Sequence, residues 1–533
     1  MDLEDAFQSV SKVLFWQKIG RLEEFGPYLE EMRLPYQTKK SAVSGKNVIV
    51  SLPFYPANAK FISQDEIDSV KFEPLKKSPF FQNLNGAPFN PLNVNEIKDI
   101  DSLIGAVGER VVYCGNKLFG KNEFVSAVDN CTNCFYVSNG HKTYNVRYGA
   151  HLSYQRDSEF VFGVSGFPNS KYAMRCIEGI GLTRCFESYY STNLADTYYA
   201  FNCSGVSDSI FAFNLRSKRN VIGNLQLSKE RYEELKKKLV SEIAELLRKD
   251  KRLFSIADIS THGEKGKTKE RTVEVAKVPD KIEQAFGKTT NIVFGKERHN
   301  IEGYGDWLLR HVMKVRRIEG AFGTPAYKID DLPVVRDISP ARIVTLDEAL
   351  KSASTTIEIG AGETPAISEL MERVAHVVYF TFEFIDGINE NVVETPSSFT
   401  AVNTYRVWDA THGRNSAYTS AAVYSEYIFG SHFQILNSQF CINCYDVTDV
   451  SGCFEVDSSH QVRNSYFCHN CEAVSDSMFC FNAKSLRYAI GNTEIGREEY
   501  LRIRKILLDY VNKELDEKKG LGLGIFSVER IDF

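Results

Sequence analysis

The stretch YAFNCSGVSDSIFAFNLRSKRNVIGN, residues 199–224, occurs a second time as FCHNCEAVSDSMFCFNAKSLRYAIGN, residues 467–492. The two align without gaps at an offset of 268 (467 minus 199), and about half of the positions are identical. The match runs backward, where Cys176, Cys185, Phe186 and Glu187 meet Cys444, Cys453, Phe454 and Glu455. With one residue of slippage, SEFVFG (158–163) meets SEYIFG (425–430). Forward, Tyr232, Leu235, Leu239, Val240, Ile243 and Leu247 meet Tyr500, Ile503, Leu507, Leu508, Val511 and Leu515. These apolar residues recur at helical spacing, so each copy ends in a helix that buries one stripe.

Upstream, Ala59–Glu66 resembles Ala341–Glu348, and in both a Ser or Thr precedes a Glu by three residues. That spacing is a capping box, the start of a helix. The expected division is a helical segment at 1–45 and copy one at 46–255, with its strands about 105–227 and its helix 228–250. An insert or linker follows at 256–335. Copy two then occupies 336–533, with strands about 376–495, a helix at 496–517 and a tail.

Within copy two, Cys441, Cys444 and Cys453 recur 27 residues later as Cys468, Cys471 and Cys480. The spacing divides into steps of 12 and 15. At each step sits an aromatic or small residue, then Cys or Ala, then any residue, then a polar one: Tyr199-Ala-Phe-Asn and Phe211-Ala-Phe-Asn in copy one, Phe467-Cys-His-Asn and Phe479-Cys-Phe-Asn in copy two. Ser, Asn, Asp and Gly separate the steps, as turns require. A short fixed period of aromatic and β-branched residues indicates stacked strands that bury a face only against their neighbours. Over about half of the chain this pattern resembles the parallel β-helix, or β-solenoid, repeat proteins. The resemblance implies a mixed fold class: two tandem copies of a short-period parallel β-helix, each followed by an amphipathic helix. It leaves open one 27-residue coil or two shorter ones, and it implies right-handed crossovers.

Cys441-x2-Cys444 followed by Cys468-x2-Cys471 pairs four thiols as a zinc site does, and Cys131-x2-Cys134 adds a pair. Copy one, however, carries Ala173, Ala200 and Ala212 where copy two has Cys441, Cys468 and Cys480. A ligand cannot be exchanged for Ala while its site survives, but a small inward-facing residue can. The reading is therefore a buried ladder, with Cys441, Cys453, Cys468 and Cys480 in register. A zinc or iron–sulfur site is the alternative for Cys441, Cys444, Cys468 and Cys471, and a disulfide or redox role is a third reading; no cofactor is expected.

Asp208 and Asp476 lie in matching Val-Ser-Asp-Ser turns and Glu187 matches Glu455, so paired carboxylates are open to acid–base work. Turn capping is the plainer role. Arg219 and Arg487 precede Ile-Gly-Asn and are expected to bond carbonyls or a carboxylate at the junction. His469 is expected to face solvent. Gly-Ala-Gly-Glu (360–363) and Gly-Leu-Gly-Leu-Gly (520–524) lack the Lys-Ser/Thr of a phosphate loop and read as flexible connections. Residues 248–317 hold Lys265, Lys267, Lys269, Arg271, Arg310, Lys314, Arg316 and Arg317, a route to nucleic-acid phosphate, though acidic residues are interspersed.

Net charge is −5, with 43% hydrophobic and 25% charged residues. This is ordinary globular composition with no general pull toward polyanions. No run of roughly eighteen apolar residues predicts a membrane span, and residues 1–20 do not read as a signal peptide. Twelve Cys without secretory context point to reduced thiols and a cytoplasmic location. The leading function is a non-catalytic binding or scaffold protein that presents its strand faces to protein partners or to itself, with no membrane partner. The alternatives are a carbohydrate- or acyl-group-active enzyme and a zinc- or nucleic-acid-binding protein.

Overall fold

The structure is a computed structural model that describes residues 3–32, 37–50, 52–68, 92–115, 138–140, 150–152, 162–165, 174–177, 183–262 and 270–528. Cys131, Cys134, Ala173, Lys265, Lys267 and Lys269 lie outside the described residues. Mixed α and β structure surrounds a nine-stranded and an eleven-stranded sheet. Six helices of eight residues or more are described: α1 (Leu3–Phe15), α2 (Ile100–Val107), α3 (Lys229–Asp250), α4 (Asp280–Phe294), α5 (Ile367–Val377) and α6 (Arg497–Lys518).

Neighbouring strands of both sheets run mostly parallel, at a shift of twelve residues. Ala195 pairs with Thr183 on one side and Ser207 on the other, and Ser207 pairs with Arg219. In the larger sheet Val402 pairs with Arg414, Arg414 with Glu426, and Gln439 with Ser451. Single bridges continue the same shift, Ser451 to Arg463 to Ser475 to Arg487. Two places depart from twelve: Ala150 pairs with Ser165, and Glu426 pairs with Gln439, where the register slips between His432 and Ile435.

The local rule beneath this period has three residues. From Arg184 to Gly223 and from Asn437 to Gly491, every third residue has a positive φ. Such left-handed residues are favourable for Gly and tolerable for Asn and Asp, and these three types fill eight of the fourteen places between 184 and 223. The residue after each left-handed one points inward. Cys441, Cys444, Val447, Val450, Cys453, Val456, Val462, Cys468, Cys471, Val474, Cys480 and Ala483 thus belong to one buried apolar cluster. The four-residue motif is therefore left-handed residue, inward residue, strand residue, left-handed residue.

This corrects the 12-and-15 reading. Both steps are multiples of three, but only twelve restores a residue to its own column. Cys441 pairs with Cys453, whereas Cys468 pairs with Val456. The cysteines share one interior but do not form one file.

Inward Ser and Cys perform the same local task. Ser459 Oγ donates to Asp457 O (2.8 Å) and accepts the N–H of Cys471 (2.9 Å). Ser191 does likewise with Tyr189 O (2.7 Å) and the N–H of Cys203 (3.0 Å). The Cys453, Cys468 and Cys203 thiols each lie 3.4 Å from the carbonyl two residues back. Outside, left-handed aromatics stack one period apart: Tyr199 on Phe211 at 4.9 Å, Phe467 on Phe479 at 5.0 Å. Left-handed asparagines also link, Asn202 to Asn214 and Asn470 to Asn482, both at 2.9 Å.

The chain divides into two compact units that do not follow sequence order. Unit 1 comprises Met1–Leu34, Phe119–Val275 and Lys314–Phe384; unit 2 comprises Pro35–Leu118, Ala276–Met313 and Ile385–Phe533. Within unit 1, α3 buries Tyr232, Leu235, Leu239, Val240, Ile243 and Leu247 and packs on strand Arg219–Ile222, α1 and α5. Within unit 2, α6 buries Tyr500, Ile503, Leu507, Val511 and Leu515, with Leu508 half-buried, and packs on α4 and α2.

Candidate functional site

The densest convergence of chemical groups lies in unit 2, along one column of paired strand residues: His432, Tyr445, Asp457, His469 and Phe481. The matching column of unit 1 runs Ile177, Tyr189, Phe201 and Phe213. Copy two thus places titratable groups where copy one places mainly apolar ones.

Asp457 Oδ2 accepts from Tyr55 Oη (2.6 Å) and from His469 Nδ1 (2.7 Å). His469 Nε2 accepts the backbone N–H of Cys114 (2.8 Å). These partners assign a neutral imidazole protonated on Nδ1. The Cys114 thiol lies 3.3 Å from Gln64 Oε1, which also accepts from Asn470. Asp457 and His469 are wholly buried, so the expectation that His469 faces solvent is wrong: it lies on the covered side of the column. Burial raises the Tyr55 phenol far above its ordinary value, and the Asp457 carboxylate adds to the rise. A Cys, a His and an Asp are the components of a nucleophile with an oriented base. Here, however, the imidazole nitrogen receives the backbone amide of the cysteine, which fixes the ring between two elements.

The matched glutamates, Glu187 and Glu455, are also wholly buried. Arg175 Nε lies 2.8 Å from Glu187, and the Tyr28 and Tyr189 hydroxyls donate to the same carboxylate. In unit 2 Glu455 takes Arg310, Asn443 (3.1 Å) and the N–H of Ile525 (2.7 Å). Burial pushes both carboxyls up, and the neighbouring guanidinium opposes it. Glu31 also meets Arg175 (3.2 Å). Asp208 and Asp476 hold Arg219 (2.9 Å) and Arg487 (3.3 Å), an arginine–carboxylate pair at each junction. The two Asp and the two Glu are thus each held by a different Arg, and none of these ion pairs joins an Asp to a Glu.

Cys441, Cys444, Cys468 and Cys471 are buried. Burial raises the Cys444 and Cys468 thiols well above the usual range, and metal ligation requires thiolates. Among the described residues, no group of three or more His, Cys, Asp or Glu is placed to hold a metal ion.

Within the basic segment Arg271 pairs with Glu319 (3.3 Å) and Arg316 with Glu270 (2.7 Å). Residues 520–524 are no loose connection. Leu521 and Leu523 are buried, and Leu521 O accepts from Arg310 (2.8 Å). No helix among the described residues is long and apolar enough to cross a membrane.

No family model, curated protein or solved structure matches this chain. Sequence reasoning missed Asp457, Tyr55, Cys114 and the Arg310–Glu455 pair. Tyr55 and Cys114 lie more than 340 residues before the groups they meet, and no local pattern joins them.

Proposed function

We propose that the chain is a tandem duplication of a twelve-residue β-solenoid that serves as a non-catalytic scaffold in a reducing compartment, the cytoplasm, and associates with itself. The twelve-residue parallel shift, the matching asparagine and aromatic ladders and the equivalent helices support the duplicated solenoid. Nine cysteines, among them all six of Cys441–Cys480, are free, as a reducing compartment keeps them.

One observation carries the self-association. Ile388, Thr400, His412 and Tyr424 follow one another at intervals of twelve along the larger sheet. Ile388 is 82% and Tyr424 51% exposed, and the His412 and Tyr424 rings stack at 4.6 Å. Among the described residues the adjacent strand Glu390–Val393 pairs on one side only, with Val402–Thr411. An exposed strand edge beside apolar side chains is a template for a like edge.

Sedimentation of the full chain over a concentration series tests this reading. The wild type is expected to form a dimer that the double variant Ile388→Asp/Tyr424→Asp loses. A wild type that remains monomeric at every concentration overturns it.

A further inference from the structure

We infer that the lead-in of each repeat is the partner of the other repeat's strand stack: the described residues between 37 and 115 dock on the copy-two strands, and residues 314–384 on the copy-one strands. The inference rests on the duplication proposed above and goes beyond it, because a duplication alone would leave each lead-in on its own repeat. The chain passes between the two units five times, and both lead-ins are carried across.

The asparagine bonds and the ring contacts of the docking correspond at both places. In unit 2, Asn470 donates to Asn482, and Asn482 Nδ2 donates to Val112 O (2.7 Å). In unit 1, Asn202 donates to Asn214, and Asn214 Nδ2 donates to Tyr379 O (2.9 Å). Asn482 and Asn214 are equivalent in the repeat (482 minus 214 is 268). Beside Val112, Tyr113 pairs in parallel with Phe61 and sets its ring against His469 (5.2 Å) and Phe481 (5.6 Å). Beside Tyr379, Phe380 bridges in parallel to Ile343 and sets its ring against Phe201 (5.0 Å) and Phe213 (5.8 Å).

The glycine of the last turn is also met in both repeats, by different residues of the two lead-ins. Gly491 O accepts from Arg110 Nη1 (3.0 Å), and Gly223 O accepts from the N–H of Ile357 (3.1 Å). Both glycines have left-handed φ, +52° and +56°. A Cβ on Gly491 would stand 2.8 Å from Arg110 Cδ, and one on Gly223 2.4 Å from Ile357 Cδ1. The position is bare in both repeats where a lead-in lies against it. The helices agree: α6 packs on α2 of the copy-one lead-in, and α3 on α5 of the copy-two lead-in. The surface made by the terminal asparagines, the glycine and the strand column therefore takes a strand–helix lead-in of the repeated sequence, supplied here by the other half of the chain.

Hydrogen exchange read by mass spectrometry on the full chain tests this. Tyr113→Ala is expected to speed exchange at least tenfold across 466–490 and leave 195–222 at the wild-type rate. Phe380→Ala is expected to do the reverse. If each variant instead loosens the strands of its own repeat, the exchange of lead-ins is wrong and the duplication stands. If only one variant affects any strands, the repeats are not equivalent, and the duplication fails with the inference. Tyr113→Leu and Phe380→Leu keep apolar bulk and give the same readout where an alanine variant does not fold.

Discussion

Asp409 occupies a paired strand position of the larger sheet, between Ser397 and Ala421, and is 4% exposed. Its Oδ1 accepts from Thr411 (2.9 Å), while Oδ2 has no partner among the described residues. Burial pushes its carboxyl up to about 6. A carboxyl raised in the folded state favours folding below its unfolded value, about 3.9, and that contribution is lost as pH rises through about 6. At neutral pH the buried charge therefore costs on the order of 2 to 3 kcal/mol. Asp409→Asn is expected to be more stable than wild type at pH 7, with the gap closing by about pH 4. Urea unfolding of both proteins at the two pH values checks this, and a gap that does not change with pH rejects it. His311, pushed down to about 3 by burial and by Arg310, acts with the opposite sign, losing stability as pH falls below its ordinary value. It is common to both proteins and leaves the difference intact. The inward cysteines make a second residue-scale case. Cys453 precedes Ser465 by one period, and both side chains turn to the carbonyl two residues back. Cys453→Ser is expected to cost less than about 1.5 kcal/mol, while Cys453→Leu overpacks the interior and costs about 1 to 3 kcal/mol. Thermal melts of the two variants would rank them, and the reverse order contradicts the small-residue interior.

At the scale of elements, α3 and α6 were legible because their stripes are purely apolar and helical in spacing. Both also begin within a residue of the expected boundary. The triplet beneath the strands was not legible. Its inward residues mix Cys, Ser, Ala and Val, so a three-residue period carries no hydrophobic contrast. Its left-handed residues include Phe, Tyr and Glu beside Asn and Asp, which turn chemistry alone does not single out. Each stripe is buried among several elements: α3 packs on strand Arg219–Ile222, α1 and α5, and α6 on α4 and α2. Leu507 is wholly buried in that packing. Leu507→Ala is expected to cost about 2 to 5 kcal/mol, measured by chemical denaturation of the full chain. An unchanged midpoint would mean that the stripe packs on nothing in the folded chain.

At the scale of the whole molecule, the proposed duplication was legible because 199–224 and 467–492 remain alike position by position. The assembly of the units was not. Lead-ins pair with strands hundreds of residues away, and the chain-order division at 255 and 335 carries no sign of it. The buried site has the same origin: His469 lies inside because Tyr55, Tyr113 and Cys114 cover it, and nothing near His469 in sequence announces them. The proposed solenoid has one turn per twelve residues in both strand stacks. It predicts that deleting Ala195–Val206, one whole turn, leaves every later residue in its own column, whereas deleting the eleven residues 195–205 turns every later column by one place. The direct measurement is the thermal melt of the two deletions followed by circular dichroism. The account predicts one cooperative transition for the twelve-residue deletion and its loss for the eleven-residue deletion; indistinguishable melts would contradict it.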